Sequence, residues 1–396
     1  MTPDKTKILI IGGIAIIVLV FILIFQGLLP GLQKQERRPD VEGALAIWGI
    51  FDSEDAYEDA LKNFEGKYPN VDIEYRGFTN EEEYEAALLE ALASREGPDI
   101  FMVENGSIDR YLNKLAPSPN VSVVNARNLF PRVVEEDIVR RGSVYALPLS
   151  VDTLVMFVNR TLLAQNAIVF PPDTWVKLQE ITPKLVRKNA GGGITQAAAA
   201  IGGSSRSIDK AGDLLGLLAL QYNPQMGGNE GAALETVKTF GDPKSGTYTW
   251  NDEMSYSLDA FAGGKVALVF NYMSALPRLA QRNSLVEAEI APIPQVEGTN
   301  QNIAVARYWE HVVSSQSANP ALAWEFVTDL ATIPSLAESY TRAVRLPPAL
   351  NVLIQKYLDD EDFGVSARQA LIARSLSESR IKTLENSLTR TVNEIQ

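Results

Sequence analysis

Gly97-Pro98-Asp99-Ile100-Phe101-Met102-Val103 stops a helix and then runs through consecutive apolar residues without alternation. An unbroken apolar run of this length, bounded by Gly-Pro, is the pattern of a strand covered on both faces, as in a parallel sheet. Moving outward toward the N-terminus, Ala44-Leu-Ala-Ile-Trp48-Gly49 reads as another buried strand. Asp52-Ser53 then offers an N-cap to a helix carrying Tyr57, Ala60, Leu61 and Phe64 at helical spacing. Val71, Ile73 and Tyr75 alternate as in a strand, and Tyr84, Ala87, Leu88, Ala91 and Leu92 share one helical face before Gly97-Pro98. Strand and helix in regular alternation predict an open α/β sheet.

Toward the C-terminus the alternation continues. Val144 to Asn159 holds two strand-like runs around Pro148, a residue that is costly inside a central strand, so the stretch suits a crossing between two bodies. Pro171-Pro172-Asp173-Thr174-Trp175 starts a helix in which Trp175, Leu178 and Ile181 are spaced for the core. Ala197 to Ile201, between Gly191-Gly192-Gly193 and Gly202-Gly203, is helical by propensity but too short to stand as a helix, and is read as a strand. Residues 209–222 and 255–264 read as helices, 265–270 and 309–313 as strands, 320–330 as a helix with Trp324 toward the core, and the last thirty residues as amphipathic helix.

With 396 residues, 46% hydrophobic and 21% charged, the chain is long enough for two cores. A net charge of −13 and the lack of a basic stripe interleaved with aromatics argue against nucleic acid as a partner. There is no cysteine, which excludes disulfides, thiolate metal sites, cysteine nucleophiles and an acylated-cysteine anchor. His311, the only histidine, gives neither a triad nor a histidine metal site a natural partner, and a hydrogen-bonded structural role is expected of it. Neither a metal nor a cofactor is expected, since the glycine clusters also lack the spacing of a phosphate-cradling loop.

Residues 1–7 read as a short end ahead of an apolar run. Ile8 to Leu29 is uncharged for 22 residues, which as a helix spans roughly 33 Å and crosses a bilayer. It runs on through Gly27-Leu28-Leu29-Pro30 with no small-residue cleavage pattern, so retention is expected, and residues 30–41 read as a polar tether. Flanking charges do not orient it, because Lys5 and Lys7 precede it while Lys34, Arg37 and Arg38 follow.

Four stretches in order carry a family resemblance: Trp48-Gly-Ile-Phe-Asp52; Gly97-Pro98 through Asn105 and on to Leu115-Ala-Pro117; Val144-Tyr-Ala-Leu-Pro148 through Asn159; and Phe261-Ala-Gly-Gly-Lys265-Val-Ala-Leu-Val-Phe270. Together with Pro172-Asp173-Thr174-Trp175, Ala323-Trp324-Glu325-Phe326 and Arg345-Leu-Pro347 they cover nearly everything from 42 to about 350. In these the chain resembles family 1 of the extracellular solute-binding proteins, the maltose-binding-protein-like receptors of ABC importers. The resemblance implies a two-lobed, periplasmic-binding-protein-like α/β fold of type II, here preceded by one transmembrane helix. Residues 42–151 plus 271–310 are expected in lobe 1 and 152–270 plus 311–396 in lobe 2, with crossings near Val151, Phe270 and residues 310–318.

Sugars offer apolar ring faces and many hydroxyls, so aromatic platforms and hydrogen-bonding side chains at strand ends are the candidates for such a cleft. They are Trp48, Glu104, Asn105, Tyr145, Asp152, Tyr272, Trp309 and Arg345. Trp48 sits beside Gly49, which would let a ligand near the backbone, and faces either cleft or core. Glu104, Asn105 and Asp152 alternatively cap turns, and Arg345 alternatively forms a surface ion pair. Trp250, in a loop, fits either role.

The resemblance implies a monomeric, non-enzymatic receptor anchored in the cell membrane by a single pass, with its soluble part outside and residues 1–7 as a short cytoplasmic end. It would hand a small solute, a sugar or oligosaccharide, to permease subunits. Two other classes remain open: a membrane-anchored glycan hydrolase or lyase built on paired carboxylates, and a sensor docking on a membrane signalling partner.

Overall fold

The computed structural model describes residues 41–396 other than 226, 283–285, 287 and 300. The expected span Ile8–Leu29 and the tether, its last residue apart, lie outside the described residues. Among the latter, no helix is long and apolar enough to cross a membrane.

Strands β1 (Glu42–Ile50), β2 (Asn70–Phe78) and β3 (Ile100–Glu104) alternate with helices α1 (Glu58–Lys67) and α2 (Glu81–Ser94), as the apolar periodicities require. Contacts divide the described residues into 41–44 with 61–73, and 45–60 with 74–396. In the first unit Phe64 and Tyr68 stack with ring centroids 4.8 Å apart, and the Tyr68 and Val71 N–H groups close the turn that ends α1.

The second unit contains both sheets, apart from residues 42–44 of β1 and 70–73 of β2. The first runs β2-β1-β3-β10-β4, with β4 at Ala146–Pro148 and β10 at Trp309–Val313. Ile47 lies beside Ile100 in a parallel pair, and β10 is antiparallel to both β3 and β4. Pro148 is tolerated because β4 is an edge strand. The second sheet runs β9-β5-β8-β7-β6, with β5 at Leu154–Asn159, β6 at Arg187–Lys188, β7 at Ile194–Ala199, β8 at Val266–Tyr272 and β9 at Ala288–Ala291. Every residue of β5 and β8 is buried, each large aliphatic contributing about 1.5–3 kcal/mol.

The helices begin and end where their caps direct. Asn80 accepts from the Glu83 N–H ahead of α2, which stops at Arg95 in a left-handed conformation just before Gly97-Pro98. Thr174 caps α3 (Trp175–Leu185), which places Trp175 in the core, and α4 (Ala211–Tyr222) is buried along nearly its whole length. Helices α5 (Pro320–Thr332) and α6 (Pro334–Val344) pack with the first sheet and the turn at 54–57, and Trp324 is fully buried. The C-terminal region is not one helix: a short strand at 373–374 pairs with 304–305 before α7 (Glu378–Ile395) begins.

Strand pairing alters the expected division of the chain. Residues 288–291, expected in lobe 1, pair with β5 in the second sheet, whereas 311–313, expected in lobe 2, lie inside the first sheet. The chain passes from first sheet to second between Pro148 and Leu154, around Val151. It does not cross at Phe270, which lies within β8, and it returns before residue 309 rather than along 310–318. A third passage follows residue 356: helix 351–356 packs on helix 123–129, while helix 364–370 packs on β5 and Gln369 bonds the Leu154 carbonyl.

Alternation along β10 sends Trp309 and His311 to one face and Glu310 to the other. Glu310 is fully buried, and neither carboxyl oxygen has a hydrogen-bond partner among the described residues. Burial first, then the Asp137 carboxyl nearby, pushes its pKa well up, with Arg140 opposing. A carboxyl whose folded pKa is raised contributes stability at low pH that is lost as pH rises through that value. Glu310→Gln is therefore expected to unfold at a temperature close to wild type near pH 5 and to gain on it steadily toward pH 9. Thermal melts of both proteins across that range check this, and a constant difference contradicts it.

Candidate functional site

A cleft of about 2020 Å³ opens where strand ends of the two sheets face each other. At its first-sheet wall stands Asp52, immediately after β1. Its carboxylate accepts from three tyrosine hydroxyls: Tyr75 at 2.5 Å on Oδ1, and Tyr57 at 2.6 Å and Tyr340 at 2.8 Å on Oδ2. Burial raises the Asp52 pKa while the three donors oppose it. Asp52-Ser53 thus does not supply the expected side-chain cap, since Ser53 makes no such bond and Asp52 is held by the tyrosines. Gly49 serves the same cluster: a methyl group there would overlap the Tyr75 hydroxyl and the Asp52 carboxylate, so it is these side chains that come close to the backbone.

Behind this cluster the Tyr57 hydroxyl is 2.8 Å from His311 Nε2. Tyr57 has a single proton and gives it to Asp52, so Nε2–H of His311 must be the donor to the Tyr57 oxygen. That tautomer leaves Nδ1 as a bare acceptor, in accord with its having no partner among the described residues. Burial lowers the His311 pKa to about 3, so the ring is neutral and acts as a structural donor.

The floor is polar and charged. Arg307 grips Glu104 through two nitrogens, the Nη2 to Oε2 bond being 2.8 Å, and its Nη1 lies 3.8 Å from Asp213 of α4. Burial works against the guanidinium charge, but Glu104 and Asp213 outweigh it and raise the pKa. The Tyr272 hydroxyl donates to Asp213 at 2.7 Å, and the Arg307 N–H donates to the Asp152 carbonyl at 2.9 Å. Asp152 itself accepts the Met273 and Ser274 N–H groups, both at 2.9 Å. Burial nevertheless carries its pKa up to about 6.

Glu104, Asp152, Tyr272, Trp309 and Arg345 line the cleft. Three other expected residues do not. Trp48 stacks on Phe78 with centroids 5.4 Å apart, under the Arg76 guanidinium. Asn105 is buried and tied to Asp137 at 3.0 Å and Ser375 at 2.9 Å, while Tyr145 lies half-buried away from the cleft. Trp250 proves to be core, its indole N–H donating to Ser207.

Phe51, Asp52, Arg307 and Tyr340 line the cleft although their positions in the sequence did not mark them. A signal for Phe51 existed: a large apolar residue between a buried strand and a polar capping pair has no core to enter. It is 57% exposed, adopts φ +62°, and meets the Trp309 ring edge-on at a centroid distance of 6.1 Å.

Two α/β sheets, a cleft at their strand ends and several chain passages between them define a two-lobed, periplasmic-binding-protein-like receptor fold. The sequence pattern of the bacterial extracellular solute-binding proteins matches residues 59–363, and the chain belongs to that family, so the described domain is extracytoplasmic. A maltotriose-binding protein of Pyrococcus abyssi is 24% identical over 151 residues, 37% of this chain and 32% of the relative, so the match spans about a third of that relative. Among solved structures, a cyclo/maltodextrin-binding protein complexed with maltotetraose superposes with TM-score 0.70 at 17% identity, over 92% of this chain and 94% of the other. The GacH receptor of Streptomyces glaucescens, solved unliganded and with acarbose, gives TM-score 0.68 at 18% identity, over 90% and 95%. At these identities the likeness is one of fold.

For Asp152, whose folded pKa lies above its unfolded one, stability is present at low pH and lost as pH rises from about 4 to 6. The span corresponds to roughly 3 kcal/mol. Asp152→Asn removes that titration, so its stability relative to wild type should improve across this window. Urea unfolding at pH 4, 5 and 6.5 measures the difference, and parallel curves refute the assignment.

Proposed function

We propose that this chain is the receptor of an ABC importer. It captures a sugar or oligosaccharide between its lobes by hinge closure and delivers it, chemically unchanged, to permease subunits. The first lobe is taken as residues 45–60 and 74–150 with 309–356, and the second as 152–291 with 364–396. The uncharged run Ile8–Leu29 holds the receptor at the outer face of the membrane. The reading rests chiefly on the cleft wall, whose lining includes the exposed ring of Phe51, the half-buried ring of Trp309, the carboxylate of Asp52 and the cation of Arg345. That pairing of apolar faces with hydrogen-bonding groups suits a polyhydroxylated ring. The sugar-receptor relatives support the same reading.

Calorimetry with maltotriose, maltotetraose and mannobiose, followed by mass spectrometry of the recovered ligand, tests it. Binding with intact ligand is expected. No binding at millimolar concentration, or cleaved product, rejects it. Trp309→Ala should weaken binding about ten-fold while the ligand-free protein unfolds near the wild-type temperature, because the ring lines the cleft and is not fully buried. A large loss of apo stability would make Trp309 a core residue.

A further inference from the structure

We infer that Phe51 is the specificity-determining platform of the cleft, selecting solutes that carry a flat apolar ring face, a pyranose rather than a linear polyol. The inference rests on the carbohydrate-receptor reading above and adds to it a residue and a selection rule. Three independent observations carry it. Phe51 lines the cleft and leaves more than half of its surface, 57%, exposed, although a phenylalanine at a strand end gains most by burying itself. Its backbone is left-handed, φ +62°, a conformation that disfavours every side chain but glycine's, and it is pinned there by its N–H donating to the Phe78 carbonyl at 2.8 Å. Finally, its ring meets Trp309 at 70°, and Trp309 is braced from behind by the buried Tyr84 at 5.9 Å. The two rings form a corner open to the cleft.

Nothing in the fold's own packing rewards an exposed ring on a disfavoured backbone. A sugar does: its C–H face lies on one ring while its neighbour bounds the edge, and its hydroxyls remain free for Asp52. A linear polyol presents no such face.

Phe51→Gly separates this role from a structural one, because glycine relieves the left-handed backbone while deleting the ring. With the full chain, wild type is expected to bind maltotriose or mannobiose well above sorbitol. Phe51→Gly should bind that sugar about ten-fold more weakly, Phe51→Tyr should retain it, and the ligand-free melting temperature of Phe51→Gly should equal or exceed wild type. Unchanged sugar affinity in Phe51→Gly overturns the platform and leaves the receptor reading standing. So does a marked fall in its ligand-free melting temperature, which would make the ring part of the fold's packing. Sorbitol bound as tightly as the sugars overturns the selection rule. Wild type that binds neither sugar removes the carbohydrate reading itself, and the platform with it.

Discussion

Arg307 is the tie on which the cleft depends. It lies on the return passage from the second sheet to the first, and reaches Glu104 at the end of β3 and Asp213 on α4. Each of these three groups would be costly alone in so enclosed a place; the one guanidinium serves both carboxylates, and the Tyr272 hydroxyl adds a donor to the second. Through its backbone N–H the same residue holds the Asp152 carbonyl, at the first passage. The floor is therefore one polar seam joining both lobes and two of the connections between them, and the walls rise from it.

The first wall is ordered by a different device. Asp52 collects hydroxyls from residues 57, 75 and 340, and His311 fixes the orientation of one of them from below. Two carboxylate oxygens that already accept three hydrogen bonds have little rotational freedom left. The acceptor shown to the cleft is thereby set before any ligand arrives, which limits the ordering cost of binding.

Much of the architecture was legible because local pattern and global environment agree. The apolar run at 100–103 became a fully enclosed strand, and even the alanine-rich stretch near 197, helical by propensity, formed β7 because glycines bound it on both sides and β8 was there to pair with. Lobe membership was less legible, since nothing in the run 309–313 states which sheet it joins. The site divides along the same line. Glu104, Asp152, Tyr272, Trp309 and Arg345 reach the cleft as strand-end or crossing positions should. Asn105 occupies such a position too, but Asp137 and Ser375, far away in sequence, claim its amide. Asp52 was hidden for the opposite reason: Asp-Ser before a helix is ordinary cap grammar, and only the fold brings the tyrosines to it.

The C-terminal helix gives the molecule a property that the cleft alone does not. Glu378 at the start of α7 accepts from Ser107 of the first lobe, whereas Leu384 of the same helix is buried where α7 packs on α4, and Gln396 bonds Gly202 in the second. Beside three chain passages, this helix is a fourth link, made by side chains and not by the course of the chain. Every added link between two bodies removes ways in which they can slide or twist against each other. For the hinge closure proposed above, a solute would meet a partner with fewer wrong ways to close.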